Sequence, residues 1–203
     1  MTPFKRLTAP ACPLPLSNVD TDQLIPARFM KRSRAEGYGG VLLHDLRFGA
    51  DGAPRPDFPL NDPARAGARI LVARRNFGAG SSREAAVYAL VDYGIACVVA
   101  PSFGDIFAGN AVNNGLLPAR VLDTQAEDLL GALLSGLVGL SVDLEELRIT
   151  AGERSIPFAI DPVWRLKLLN GWDDLDLTAS HAETIESFAR RDADARPWAK
   201  PAR

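Results

Sequence analysis

The sequence predicts an α/β fold built on a mixed sheet, and three observations carry that prediction. Ile70–Ala73 and residues 95–100 (Ile-Ala-Cys-Val-Val-Ala) are short and apolar at every position, the pattern of strands buried on both faces. Residues 84–93 between them read as a helix, so the strand–helix–strand order predicts a parallel pair with a right-handed crossover. Farther on, residues 147–150 and 155–160 flank Ala151-Gly-Glu-Arg154, a hairpin signal that adds antiparallel strands to the same sheet.

A chain of 203 residues with 47% hydrophobic and 24% charged residues has enough apolar material for one large core. We expect a single domain over residues 1–190 and a flexible tail over 191–203, which is charged and carries proline. With 23 basic and 25 acidic residues the net charge is -2, so no broad basic field invites nucleic acid. No run approaches the roughly 18 apolar residues of a membrane span, and residues 1–7 lack the apolar stretch of a signal peptide. The two cysteines, Cys12 and Cys97, stand in no paired motif, which suits a cytoplasmic protein without disulfides.

In chain order, residues 11–25 alternate proline with apolar residues and then give Ser17-Asn-Val-Asp-Thr-Asp-Gln-Leu-Ile25, turn chemistry leading into a short strand or helix. Arg28, Lys31, Arg32 and Arg34 crowd one stretch, and glycines follow at 37, 39 and 40, which reads as a mobile basic loop or a solvated turn. Residues 49–67 are rich in glycine and proline and read as a surface loop. Residues 102–115 form a helix stopped by Asn114-Gly115, and residues 116–121 return as a strand. Leucines at 129, 130, 133 and 134 mark another helix. Asp161-Pro162 starts a helix that Asn170-Gly171 ends, and Ser180-His-Ala-Glu183 offers a capping box for a last helix to about Arg190.

Asn76-Phe-Gly-Ala-Gly-Ser-Ser-Arg-Glu84 joins the first buried strand to its helix. Free N–H groups, two hydroxyls and a guanidinium gather at one helix N-terminus, a natural place for an anion. Ser81 and Glu84 also spell a capping box, which needs no ligand. Gly78 and Gly80 suit positive φ or close approach to a ligand. Arg83 opposes the helix dipole unless an anion sits beside it. There is neither a Walker lysine nor a third dinucleotide-type glycine, so a small carboxylate fits better than a nucleotide. A serine acts as a base only where its alkoxide is stabilised, which helix N–H groups and an arginine can do. His44 and His181 share no motif, and no set of ligands has the spacing of a zinc or iron–sulfur site.

Four stretches together resemble the small subunits of 3-isopropylmalate dehydratase, the separate-chain form of the aconitase swivel domain. They are Asn18-Val-Asp-Thr-Asp-Gln-Leu-Ile-Pro26, the glycine segment 76–84, Ser102-Phe-Gly-Asp-Ile-Phe107 with Asn114-Gly-Leu-Leu-Pro118, and Ile160-Asp-Pro162 with residues 168–178. The resemblance covers about residues 4 to 190 and implies a swivelling β/β/α domain. It implies that Ser81 is the catalytic base, that Arg83 grips a substrate carboxylate, and that Ser82 and Gly80 add substrate contacts. It places Asp22 at the active site and makes Arg32 a second substrate contact, with Arg34 as the competing candidate. It also implies a partner large subunit carrying a [4Fe–4S] cluster, and no cofactor on this chain. The implied reaction removes and re-adds water, interconverting 2- and 3-isopropylmalate in leucine biosynthesis.

Several positions depart from the family pattern. Ala79, Ala85 and Tyr88 stand where cysteine, histidine and tryptophan are usual. The loop reads Lys31-Arg-Ser-Arg-Ala-Glu-Gly37 where the family commonly has Lys-Arg-x-x-Arg-Thr-Gly. A paralogous dehydratase for another 2-substituted malate, or a non-catalytic scaffold subunit, are therefore alternatives.

Overall fold

The computed structural model describes residues 1–31, 33–80 and 82–199. Among these, seven strands form one mixed sheet. They are β1 (Arg6–Leu14), β2 (Ile70–Ala73), β3 (Cys97–Ala100), β4 (Leu117–Arg120), β5 (Gly139–Asp143), β6 (Arg148–Ala151) and β7 (Arg154–Pro157), in spatial order β4-β3-β2-β1-β5-β6-β7. β1 to β4 are parallel neighbours, and β1, β5, β6 and β7 pair antiparallel. Thus the expected βαβ unit and the hairpin are both present, in one α/β sheet.

The central strand, β1, is the element the proline pattern concealed. Its first half, to Pro10, pairs with β5, and its second half, from Ala11, pairs with β2. Pro10 precedes the first pair with β2, and Pro13 lies beyond the last pair with β5. Each proline therefore falls where the sheet has no neighbour to receive an N–H, the arrangement that lets proline occur inside a sheet.

The helices are α1 (Thr21–Leu24), α2 (His44–Arg47), α3 (Glu84–Tyr93), α4 (Asp105–Asn113), α5 (Asp123–Leu134), α6 (Pro162–Asn170), α7 (Asp174–Ala179) and α8 (Ala182–Ala195). Alternate residues of the parallel strands feed two cores. Ile70, Val72, Cys97 and Val99 meet Ala126, Leu129, Leu130 and Leu133 of α5. Leu71, Ala73, Val98 and Ala100 meet Ala86, Val87, Ala89 and Leu90 of α3. The chain moves outward from β1 to β4 and then jumps back to β5. On that return α5 covers the face opposite α3.

Local signals explain most of the helix ends. The Asp161 carboxylate accepts from the N–H groups of Val163 and Trp164 at 2.8 and 3.2 Å, and Gly171 closes α6 with φ +71°. A cap of this kind contributes about 1 kcal/mol. The Ser180 box does not form. The Ser180 hydroxyl donates back to the Leu177 carbonyl at 2.6 Å, and α8 starts one residue later and runs to Ala195. The box in this region is Asp173 with Asp176, which opens α7, an element the sequence reading did not separate. No described helix is long and apolar enough to cross a membrane.

Candidate active site

The loops that leave β1, β2 and β3 meet at the carboxyl ends of the parallel strands, where open α/β sheets place their sites. Backbone bonds stitch the three together. Asn18 N donates to Arg75 O at 2.9 Å, Gly78 N to Val19 O at 2.7 Å, and Thr21 N to Ala79 O at 3.0 Å. On the other side Phe77 N donates to Ser102 O at 3.0 Å and Gly104 N to Phe77 O at 2.9 Å. Two left-handed asparagines turn the corners, Asn18 at φ 56° and Asn76 at φ 63°. The Asn76 side-chain amide donates to Asn18 Oδ1 at 2.8 Å, and its backbone N–H donates to Ser102 Oγ, also at 2.8 Å. The glycine segment is therefore clamped between its neighbours.

Both glycines of the segment have positive φ, as expected, but for different reasons. Gly78 has φ +73°, and a Cβ there would lie 2.5 and 2.6 Å from the two Cδ atoms of Phe107. Phe77 and Phe107 meet edge to face at 5.4 Å, so Gly78 rests on an aromatic floor. Gly80 has φ +102°, and a Cβ there would make only ordinary contacts at 3.6 Å with Asp20 and Thr21. Packing demands the first glycine, and backbone conformation the second. A cleft of about 200 Å³ opens between these glycines and the first turn of α4, lined by Gly104, Asp105, Ile106 and Phe107.

Two residues singled out from the sequence are brought together here. The Arg83 guanidinium is ion-paired with the Asp22 carboxylate, joining the residue before α3 to the first turn of α1. Arg83 is mostly buried, its side chain 29% exposed, while Asp22 is 58% exposed. Asp22 is positioned by a capping box in which Asp20 Oδ1 accepts from Gln23 N at 2.7 Å and Gln23 Oε1 accepts from Asp20 N at 3.0 Å. Arg83 occupies the N-cap of α3 without a side-chain cap bond. The Glu84 carboxylate accepts from the Asn114 side-chain amide at 2.9 Å, tying α3 to the end of α4; the Ser81 half of the expected capping box lies outside the described residues. Ser82 is exposed beside Arg83. Ser81 and Arg32 lie outside the described residues.

The basic loop is built of short turns, over Ala27–Lys31, Arg34–Glu36 and Gly39–Val41. Arg28 holds Asp45 through both carboxylate oxygens, and this pairing draws the Asp45 carboxyl down to about 2. Arg34 does not point away from the protein; its guanidinium lies on the Tyr88 ring. What read as a mobile loop thus has anchors that no local pattern announces, because its partners lie on α2 and α3.

The two cysteines lie in the two separate cores and form no common ligand set. Cys12 and Cys97 are both buried, and burial pushes the Cys12 thiol up to about 12 and the Cys97 thiol higher still. Among the described residues, no three His, Cys, Asp or Glu side chains converge as a metal site.

The model of the aconitase C-terminal domain matches residues 1–124. The chain belongs to the aconitase C-terminal domain family. Its full-length relatives include the 3-isopropylmalate dehydratase small subunit of Rhodospirillum centenum, 48% identical over 201 residues, which are 98% of this chain and 99% of that protein. The protein of the same name from Agrobacterium fabrum is 45% identical, covering 98% of this chain and all of its own length. In structure, the chain is similar to 3-isopropylmalate dehydratase from Methanocaldococcus jannaschii, with a TM-score of 0.62, 22% identity, and coverage of 91% of this chain and 99% of that one. That likeness supports the fold: a curled mixed sheet with helices, as in other aconitase C-terminal domains.

Within this aconitase-type domain the sequence reading missed the Asn18–Asn76–Ser102 stitching. Its signal was present, since asparagine tolerates the left-handed region better than most residues. A second cavity, of about 550 Å³, lies farther along Ser102–Asp105 toward Arg120, Asp161 and Trp164, and none of the site residues expected from the sequence lines it.

Proposed function

We propose that this chain is the small subunit of a heteromeric hydro-lyase that interconverts 2- and 3-isopropylmalate through 2-isopropylmaleate in leucine biosynthesis. The observation that carries the reading is the near-complete, two-way coverage by relatives named 3-isopropylmalate dehydratase small subunit. Those names also favour isopropylmalate over another 2-substituted malate and over a scaffold role. The partner is a large subunit, and the [4Fe–4S] cluster of the enzyme belongs to it. We place the complex in the cytoplasm.

The chain contributes one wall of the active site. Arg83 grips a substrate carboxylate: a guanidinium has five donors in a planar fork, so Asp22 can orient it and still leave donors for substrate. Asp22 thereby serves the site through Arg83. Ser81, which lies between Gly80 and Arg83 in the sequence, is the base. As the alkoxide it takes the proton from the carbon next to the one that loses hydroxide, leaving a serine hydroxyl, an alkene dicarboxylate and hydroxide, which a proton from solvent converts to water. Return of the proton and of water with the carbons exchanged completes the isomerisation. The N–H groups at the start of α3 and the Arg83 charge stabilise the serine oxyanion. Ser82 and Gly80 line the carboxylate, and Arg32 meets the substrate from the basic loop.

Arg83→Lys keeps the charge but removes the fork. We expect KM to rise about 10- to 100-fold, the loss of a charge-assisted bond or two, with a smaller change in kcat. Steady-state kinetics on the reconstituted enzyme measures this, and an unchanged KM would remove Arg83 from the carboxylate. The function itself is tested by complementation. A bacterial strain lacking its own small subunit, given this chain with its cognate large subunit, is expected to grow without leucine. Well-expressed protein that leaves the strain auxotrophic would refute the assignment.

A further inference from the structure

Glu84, Tyr88 and Asp92 recur every four residues along α3, so they form one stripe that begins at the residue after Arg83. Residues 33–39 of the basic loop are laid along its far end. The Arg34 guanidinium carbon sits 3.4 Å from the centroid of the Tyr88 ring, and its Nη2 is 3.8 Å from Asp92 Oδ1. Tyr38 stacks on the same Tyr88 ring, at 6.4 Å and 15°, and its backbone N–H donates to Asp92 Oδ2 at 2.9 Å. Gly39 follows so tightly that a Cβ there would lie 2.6 Å from the backbone of Asp92 and Tyr93. The segment is also folded on itself: Ser33 caps the turn, Ser33 N donates to Glu36 Oε1 at 3.2 Å, and Gly37 N donates to Arg34 O at 2.8 Å.

Arg34 thus has both faces of its chemistry in use, the π-face on an aromatic ring and an edge toward a carboxylate. A guanidinium so engaged fastens the loop to α3. We propose that Arg34 is a positioning residue, latching the basic loop to the Tyr88–Asp92 end of the helix that begins beside Arg83, and so fixing how the loop's other cations are presented to substrate. The latch favours Arg32 over Arg34 as the substrate contact, because it holds Arg34 against α3. The inference rests on the proposed function only for its effect on KM.

A double-mutant cycle separates a latch from a direct contact. In the reconstituted complex, Arg34→Met and Tyr88→Ala each raise KM for 2-isopropylmaleate about tenfold, the equivalent of one cation–π contact with its flanking ion pair. kcat stays within about twofold, and the double variant is no worse than the weaker single, because both remove one coupled unit. Tyr88→Phe keeps the ring and the wild-type KM. A far larger loss for Arg34→Met than for Tyr88→Ala, with additive effects in the pair, would overturn the latch and put Arg34 on the substrate. Hydrogen exchange on the full chain reads the latch without turnover, so it decides the point even if the wild-type complex hydrates no isopropylmaleate. In Tyr88→Ala the Gly37 and Tyr38 amides exchange about tenfold faster while α3 is unchanged. Wild-type exchange at those amides, or acceleration spread through α3, would overturn it.

Discussion

Ser81→Ala lowers the turnover of the reconstituted enzyme by roughly 10²- to 10⁴-fold, the range a general base contributes, and leaves complex formation intact. The size follows from what the serine is asked to do. Its hydroxyl is a weak base unless the alkoxide is stabilised, and the strand-to-helix turn of this chain gathers two sources of stabilisation. One is the partial positive charge at the start of α3, equivalent to about half an elementary charge. The other is the Arg83 guanidinium at the N-cap, partly buried and oriented by Asp22. Alanine removes the oxygen and nothing else, so KM stays near wild type while kcat falls. Ser82→Ala is expected to cost less, because the role proposed for that hydroxyl is a substrate contact and not a proton transfer. Following the alkene absorbance of 2-isopropylmaleate gives both constants. A Ser81→Ala enzyme within tenfold of wild-type kcat would mean that the base is another group.

The second large effect is on stability. Gly78→Ala forces a side chain into the left-handed region, at about 1–2 kcal/mol, and drives its Cβ into the Phe107 ring, an overpacking cost of about 1–3 kcal/mol. Phe107 has little room to yield, because it is 3% exposed, meets Phe77 edge to face and stacks with Phe103. The sum, about 2–5 kcal/mol, corresponds to a Tm lower by roughly 4–20 °C for a chain of this size. Gly80→Ala is the matched control. It carries the same backbone penalty, but its Cβ meets only ordinary contacts, so its loss is about 1–2 kcal/mol. Scanning calorimetry on the two variants and on Gly78→Ala with Phe107→Leu completes the test. Shifts of equal size at the two glycines, or no recovery in the double variant, would contradict the packing account.

These two glycines show how much of the molecule its sequence discloses. Positive φ at both was legible, since glycine is the residue that adopts it freely. That Gly78 exists for Phe107 was not, because the two meet only after β3 and α4 are in place. The same division holds across the fold. Ile70–Ala73 and α3 were read at their observed limits because their apolar pattern and the break around them are local. β1 was not, because its prolines become admissible only when β5 and β2 divide the strand between them. At the site, Arg83 was picked out by its conflict with the helix dipole, whereas its partner Asp22 came only through family resemblance, and the pairing needed α1 beside α3. The anchoring of Arg34 on Tyr88 belongs to the same class of contacts, set by tertiary packing and invisible to spacing.

The central claim is that this chain carries a base and a carboxylate clamp but not a whole active site. The most direct measurement is hydration of 2-isopropylmaleate by the purified chain alone, by an anaerobically purified cognate large subunit alone, and by the two mixed. The account predicts no turnover from either chain, and turnover from the mixture that rises with the small chain to a stoichiometric plateau and disappears with Ser81→Ala. Turnover by the chain alone, or a saturated complex that hydrates no isopropylmaleate, would contradict it.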